Sequence, residues 1–271
     1  MKKIIFTLVF LTSGFLTAQT LPTTYPTELY YGCEYQKGKD ISDLMEVAAE
    51  WREWQEENDP IGRSTYNAFV WTPWFAGVEY NKPNSHMWIG ISDNFENFVA
   101  SQENWITKGD KINEKFNRVS GAANCAGHML GIGVFNRQSE SAWEASSLRP
   151  VLVSQCKNKE GATVMDYAAA YNKMNAYFDA AGFKNSTNIF TIFPVAGQTA
   201  EYDFLNLFIA KDMETLGKFG DMQTKGGAAM QQSLFEDLME CSDSSMILSA
   251  GVPGNNNPVS YTHLRAHETH N

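Results

Sequence analysis

The sequence lacks the short motifs that mark the common enzyme classes. It contains no HExxH zinc motif, no GxSxG nucleophile elbow and no CxxC pair. The glycine-rich stretch Gly127–Gly133 has the composition of a strand and lacks the spacing of a dinucleotide-binding loop. Function must therefore be inferred from fold, composition and the placement of single residues.

The sequence also lacks a cluster of basic residues. Its 21 Lys and Arg residues are outnumbered by 31 Asp and Glu residues, which gives a net charge of −10. An acidic chain without a basic patch is a poor partner for nucleic acid or for an anionic membrane. We therefore expect neither as a partner.

The two ends differ from the rest of the chain. Residues 1–19 have the layout of a secretory signal peptide, because two lysines precede an apolar run, Ile4–Leu16, that is too short to span a membrane. This predicts a secreted or periplasmic protein with no membrane contact after cleavage. Within the tail 253–271, residues 260–271 resemble translated sequencing adaptor, so their three histidines are not counted as metal ligands.

No metal site is predicted elsewhere. Two acidic sets lie near expected helix ends in charged runs, where a solvated surface is the expected structure. These sets are Glu53, Glu56, Glu57 and Asp59, and Glu236, Asp237, Glu240 and Asp243.

An internal repeat organises the remainder. MEVAAEW at Met45–Trp51 matches MDYAAAY at Met165–Tyr171, and TKG occurs at both Thr107–Gly109 and Thr224–Gly226. Several such matches keep the same order at offsets between 116 (Cys125 to Cys241) and 123 (Cys33 to Cys156). The pattern predicts a duplication. Its parts are an N-terminal segment 20–28, a first copy 29–135, a linker 136–150 and a second copy 151–252.

Hydrophobic periodicity gives each copy the order β-α-β-β-α-β, the ferredoxin-like unit. Asp93 and Glu96 indicate a capping box that opens a helical region, broken near Gly109. The second copy is expected to have one continuous helix over 212–240. We predict an α+β fold in which two tandem ferredoxin-like repeats pack their bare sheet faces together as a pseudo-dimeric α/β barrel.

This topology resembles the dimeric α/β-barrel superfamily, which includes antibiotic-biosynthesis-type monooxygenases, NIPSNAP-like proteins and haem proteins such as chlorite dismutase. The fused haem members have a proximal histidine in the second copy. Residues 151–252 contain no histidine. The resemblance therefore disfavours haem, and no cofactor is predicted.

The repeat also selects among the three possible pairings of the four cysteines. Each copy has one cysteine in its first strand and one after its second helix. An exported chain with an even number of cysteines is expected to form disulfides. We predict Cys33–Cys125 and Cys156–Cys241.

The barrel interior is the expected ligand pocket. Alternation along the strands places His86 and Trp88 on one face, and Asn67, Phe69 and Trp71 on one face of the preceding strand. We expect all five side chains to line the interior, with His86 as the candidate catalytic base. The predicted ligand is a small apolar or aromatic molecule.

Two functions remain open. The first is an exported ligand-binding barrel with a monooxygenase-like activity. The second is a non-catalytic secreted interaction module, in which the barrel is fully packed and exposed tryptophans such as Trp54 or Trp74 meet a partner.

Overall fold

The computed structural model describes residues 23–76, 84–120, 125–140, 143, 148–197 and 201–255, so the predicted signal peptide and adaptor segment lie outside the described residues. The strands are β1 Thr24–Glu34, β2 Tyr66–Phe75, β3 Ser85–Ser92, β4 Gly127–Arg137, β5 Arg149–Asn158, β6 Thr187–Ala196, β7 Phe204–Ala210, β8 Met239–Cys241 and β9 Ser245–Gly251. The helices are α1 Ile41–Asn58, α2 Pro60–Thr65, α3 Phe95–Lys108, α4 Asp110–Ser120, α5 Val164–Ala180, α6 Met213–Met222 and α7 Ala228–Phe235. A π-helical turn, Gln223–Gly227, joins α6 to α7.

Eight strands close into an antiparallel barrel. Their order is β7-β6-β4-β1-β3-β2-β9-β5, and a pairing between β5 and β7 completes the circle. The short β8 pairs with β5 outside this circle. The predicted α+β class and the barrel are confirmed.

The barrel interior is filled by apolar side chains from all eight strands. Trp71 is the largest of them, and its indole Nε1 donates to Ser249 Oγ over 3.1 Å. The buried set is Tyr25, Leu29, Trp71, Met87, Ile89, Met129, Val151, Phe190, Ile192, Leu205, Leu207 and Ile247. The barrel interior is therefore a packed hydrophobic core.

Two further cores lie between the outer face of the sheet and the helices. In the first half, α1, α3 and α4 pack on β2 and β3 through residues such as Leu44, Trp51 and Val70. In the second half, α5, α6 and α7 pack on β5, β6 and β7 through residues such as Met174, Phe178 and Phe204. Each helix layer thus covers one half of the barrel.

The structure corrects three predicted boundaries. The helix expected over 212–240 is interrupted, because Gly226 has a φ of +110°, a conformation that glycine adopts readily, and its last part is β8. Asn94, rather than Asp93, caps α3, since its side chain accepts from the backbone N–H of Asn97. β1 begins at Thr24, before the expected Leu29. The predicted break at Gly109 is confirmed.

Both predicted disulfides are present. Cys33 in β1 is bonded to Cys125 just before β4, and Cys156 in β5 is bonded to Cys241 in β8. The bonds join residues separated by 92 and 85 positions. Each therefore ties a first strand to the chain that follows the last helix of the same half.

None of the helices within the described residues has both the length and the apolar character needed to cross a membrane.

Candidate functional site

The candidate site is a cavity of about 140 Å³ between the helices of the first half and the outer face of the barrel. Strands β1, β2 and β3 form its floor, and helices α1, α3 and α4 form its walls. Its lining residues are Glu28, Tyr30, Cys33, Leu44, Trp51, Trp54, Gln55, Asp59, Tyr66, His86, Trp88, Ser101, Gln102, Trp105, Asn113, Phe116, Ser120 and Cys125. The cavity is therefore outside the barrel.

Aromatic rings at steep angles to one another form the walls. Trp51 of α1 meets Trp88 of β3 with ring centroids 5.6 Å apart and planes inclined by 72°. Phe116 of α4 stands at 84° to Trp88 and at 69° to Trp105. Trp54 meets Trp105 at 90°. Edge-to-face contacts of this kind fix the rings and surround the space with both faces and edges.

A buried carboxylate marks the polar end of the cavity. Glu28 of β1 is 6% exposed and accepts a hydrogen bond from the hydroxyl of Tyr66. The indole Nε1 of Trp88 donates to that hydroxyl over 3.2 Å, and Gln102 Nε2 donates to the other oxygen of Glu28 over 3.3 Å. Burial, together with the negative charge of Glu28, raises the pKa of Tyr66 well above its usual value. Tyr66 therefore stays a neutral hydrogen-bond donor.

A glycine makes this contact geometrically accessible. Gly90 pairs with Glu28 on one side and with Ala68 on the other. A Cβ atom at Gly90 would overlap the ring of Tyr66. The missing side chain therefore lets Tyr66 lie across β3 and reach Glu28.

His128 links the same carboxylate to solvent. Its side chain is 51% exposed, and its Nε2 lies 3.6 Å from Glu28 Oε2. The imidazole stacks on Tyr30 with ring centroids 3.8 Å apart. The strand partner of Tyr30 on β4 is His128 itself, so the register of β1 and β4 produces this stack.

The second carboxylate of the cavity is structural. Asp59 was expected on a solvated surface, but it is buried because it caps α2. Its oxygens accept from Ser101 Oγ at 2.6 Å, from Asn104 Nδ2 at 3.0 Å and from the backbone N–H of Gly62 at 3.1 Å. Because its oxygens are engaged by the fold, Asp59 joins α2 to α3 and offers little to a ligand.

His86 lies at the other end of the cavity, beside the Cys33–Cys125 bond. It pairs with Cys33 across β1 and β3, and its Nε2 lies 2.7 Å from Ser120 Oγ. The ring stacks on Tyr35 with centroids 4.1 Å apart, and its Nδ1 is buried without a hydrogen-bond partner among the described residues. Burial lowers the pKa of His86 to about 4. His86 is therefore neutral at pH 7.

This pKa predicts a loss of stability in mild acid. The unfolded chain takes up a proton on His86 near its usual pKa of 6.5, whereas the folded protein takes it up only near 4. The free energy of unfolding should thus fall by about 2 to 3 kcal/mol between pH 6.5 and pH 4. Urea unfolding measured across this range, compared with His86→Gln, isolates the contribution. A variant that loses as much stability as the wild type would contradict it.

The predicted site residues are only partly brought together. Phe69 and Trp71 pack with the barrel core, and Asn67 is buried on the same strand. His86 and Trp88 do not join them, because β3 directs Met87, Ile89 and Ile91 into the barrel and turns His86 and Trp88 towards the helices. The prediction of a single interior site made from all five residues is wrong.

Sequence reasoning missed Glu28 and Tyr66. Glu28 falls within the predicted N-terminal segment 20–28, and no motif in the sequence marks Tyr66. The sequence does contain one signal. Trp51 and Trp54 are three residues apart on α1, so they lie on one face of the helix, and this face packs on the outer face of the sheet. Trp88 packs in the same cluster.

Comparisons with protein-family models and with curated proteins give no match. Among solved structures, a provisionally assigned monooxygenase from Fusobacterium nucleatum subsp. nucleatum is similar, with a TM-score of 0.50 at 8% identity, over 86% of this chain and 94% of that one. A heme-binding protein from Thermus thermophilus has a TM-score of 0.48 at 6% identity, over 91% and 95%. Chlorite dismutase from Candidatus Nitrospira defluvii has a TM-score of 0.45 at 8% identity, over 85% and 92%.

At these identities the similarity concerns the fold alone. The fold of this chain, with its closed antiparallel barrel and outer helices, is similar to that of the first of these structures over most of both chains. The chain therefore has an α+β fold built on a closed eight-stranded antiparallel barrel.

Proposed function

We propose that this protein binds a small, mostly apolar or aromatic molecule with one polar group in the cavity between the first-half helices and the outer face of the barrel. One observation carries the proposal: aromatic walls surround a cavity whose end holds the buried, hydrogen-bonded carboxylate of Glu28. Binding sites of this kind are mainly apolar, with few polar groups that fix the orientation of the ligand.

The size of the cavity limits the ligand. A volume of about 140 Å³ is close to that of apolar cavities that take up benzene. The ligand, or the part of it that enters, is therefore of the size of one or two rings. The aromatic walls favour a flat or rounded apolar group.

Haem does not fit this site. A porphyrin with two propionates is far larger than the cavity, and the lining, as far as the structure describes it, contains Glu28 and Asp59 but no Lys or Arg that would hold a propionate. His86 is engaged with Ser120, and His128 is directed to Glu28. The proposed ligand is accordingly not a tetrapyrrole.

A monooxygenase-like reaction in this cavity would use Glu28 rather than the predicted His86 as its proton acceptor. Glu28 lies at the polar end of the cavity and is linked through His128 to solvent. The low pKa of His86 makes it a weak base, and Nδ1 is enclosed by protein. Binding remains the primary proposal.

The alternative of an interaction module has one supporting feature. Trp74 and Phe75 at the end of β2 are 42% and 63% exposed, and their ring centroids are 4.7 Å apart. Such an exposed aromatic pair is typical of a contact surface. Trp54, the other candidate, lines the cavity instead.

We also infer that the two halves are equivalent ferredoxin-like units in an exported protein. The ranges 29–135 and 151–252 each contain four barrel strands, with helices after the first and third of them. Their disulfides occupy corresponding positions, and such bonds are typical of oxidising compartments. Expression of the full-length chain in a secreting host, followed by N-terminal sequencing of the secreted protein, tests the inference that the protein is exported.

Blocking the cavity tests the proposed function. Asn113 lines the rim with an exposed side chain on α4, so Asn113→Trp should cover the opening and abolish binding of phenol and indole. Asn117→Trp makes the same change one helical turn later, outside the lining, and should leave binding intact. When the ligand concentration is ten times the dissociation constant, the wild-type protein should gain about 1.4 kcal/mol in its free energy of unfolding, which raises its Tm.

Equal ligand-induced shifts in Tm for Asn113→Trp and the wild type would refute the location. If none of a panel of small neutral aromatics shifts the wild-type Tm, the alternative of an interaction module gains support.

A further inference from the structure

We propose that the ligand of this cavity carries an organic ammonium group, such as a trimethylammonium or an alkylated amine, held by the aromatic box of Trp51, Trp88, Trp105 and Phe116 and by the carboxylate of Glu28. The inference rests on the proposed function and specifies its ligand class.

The arrangement of the rings favours a cation. Neighbouring members of the box stand at 69° to 84°, with centroids 5.6 to 6.4 Å apart. In each of these pairs the edge of one ring packs on the face of the next, so the rings are held rigidly, and the faces that line the cavity are those offered to a cation. Aromatic ring faces attract quaternary ammonium groups, and tryptophan is the strongest contributor.

One ring of the box already attracts a cation. The guanidinium of Arg52 lies 4.4 Å from the centroid of Trp51. Arg52 itself is fixed away from the cavity, since its Nη1 donates to Gln55 Oε1 at 2.8 Å and to the carbonyl of Tyr66 at 3.0 Å. The contact shows that a buried positive charge is accepted at this tryptophan.

The charge of Glu28 is not matched by a fixed cation. Its hydrogen-bond donors, Tyr66 and Gln102, are neutral. Among the described residues, the one ion-pair partner of Glu28 is His128, which is half exposed and 3.6 Å away. The lining residues that the structure describes include no Lys or Arg. A buried carboxylate without a fixed counter-ion favours a ligand that supplies the positive charge.

Size and polarity agree with this assignment. A trimethylammonium group is rounded and apolar on its surface, so its methyl groups can pack on the rings while its charge faces Glu28. A cavity of about 140 Å³ accommodates a group of this size. An anionic ligand would instead meet Glu28 without a compensating cation.

Calorimetric titration of the intact, oxidised protein with choline and with 3,3-dimethylbutan-1-ol tests the inference. The two probes have nearly the same shape, and they differ in that carbon replaces the charged nitrogen. We expect choline to bind roughly tenfold more tightly than the neutral alcohol. Glu28→Gln should remove most of this preference without changing the affinity for the alcohol. Glu46→Gln changes the net charge equally at an exposed position outside the lining and should change neither affinity.

Each outcome is decisive. Equal affinities for choline and the alcohol, or a preference that survives in Glu28→Gln, would overturn the ammonium inference and leave the proposed function standing. Absence of binding for both probes, together with binding of phenol or indole, would also overturn it alone. Absence of binding for all four probes would sink the proposed function itself. If Glu28→Gln does not fold, the variant Trp105→Leu is used in its place. This variant should lose more affinity for choline than for the alcohol.

Discussion

Replacing Cys33 and Cys125 together by alanine should lower the free energy of unfolding by about 4 kcal/mol and weaken ligand binding several-fold. The bond closes a loop of 92 positions. In the chain-entropy model, its removal increases the conformational entropy of the unfolded chain, and this lowers the free energy of unfolding by about that amount. Both cysteines also line the cavity, so the change removes part of its wall. Urea unfolding and titration with phenol measure the two effects.

The second disulfide supplies the matched control. Cys156→Ala with Cys241→Ala opens a loop of 85 positions and should reduce stability by a similar amount. This bond lies in the other half of the barrel, where it is not part of the cavity lining. Phenol affinity should therefore stay at the wild-type value. Equal loss of affinity in both double variants would mean that the cavity is not local to the first half.

Replacing Phe190 by alanine should destabilise the protein by about 3 to 5 kcal/mol. Phe190 is 1% exposed inside the barrel, where its ring contacts Phe135 with centroids 4.5 Å apart. The ring also fills the space above Gly133, where a Cβ atom would overlap it. Truncation thus leaves a void that the closed sheet cannot fill by small movements.

Phe193→Ala on the same strand is the comparison. Phe193 is 40% exposed, so its truncation should cost about 1 kcal/mol or less. Denaturant midpoints and slopes for both variants give the difference. Ligand affinity should be unchanged in Phe190→Ala, because its void lies on the inner side of the sheet. Tolerance of this substitution would contradict a packed barrel interior.

The sequence contained enough information for the architecture. Apolar periodicity located the strands of both halves, and the shared order of short matches led to the barrel and to both disulfides. Capping and turn details were less accessible. Gly226 and β8 fell within a stretch whose composition suits a helix, and only the tertiary pairing of β8 with β5 decides its conformation.

The site was located on the wrong side of the sheet for a physical reason. Alternation separates the two faces of a strand but does not say which face is turned inward. The aliphatic face of Met87, Ile89 and Ile91 is the one expected under the helices, which leaves His86 and Trp88 for the interior. In this barrel the inner face of the sheet is the more apolar one, and Met87 and Ile89 lie on it. The hydrogen bond between Glu28 and Tyr66 joins residues 38 positions apart, so no local sequence pattern predicts it.

A crystal structure of the protein soaked with 4-bromophenol tests the central claim most directly, because the anomalous signal of bromine locates the ligand without ambiguity. We predict a bromine peak between β3 and the helices α1, α3 and α4, surrounded by Trp51, Trp88 and Trp105, with the phenol hydroxyl directed to Glu28. A peak inside the barrel, beside Trp71 and Phe190, would contradict the account.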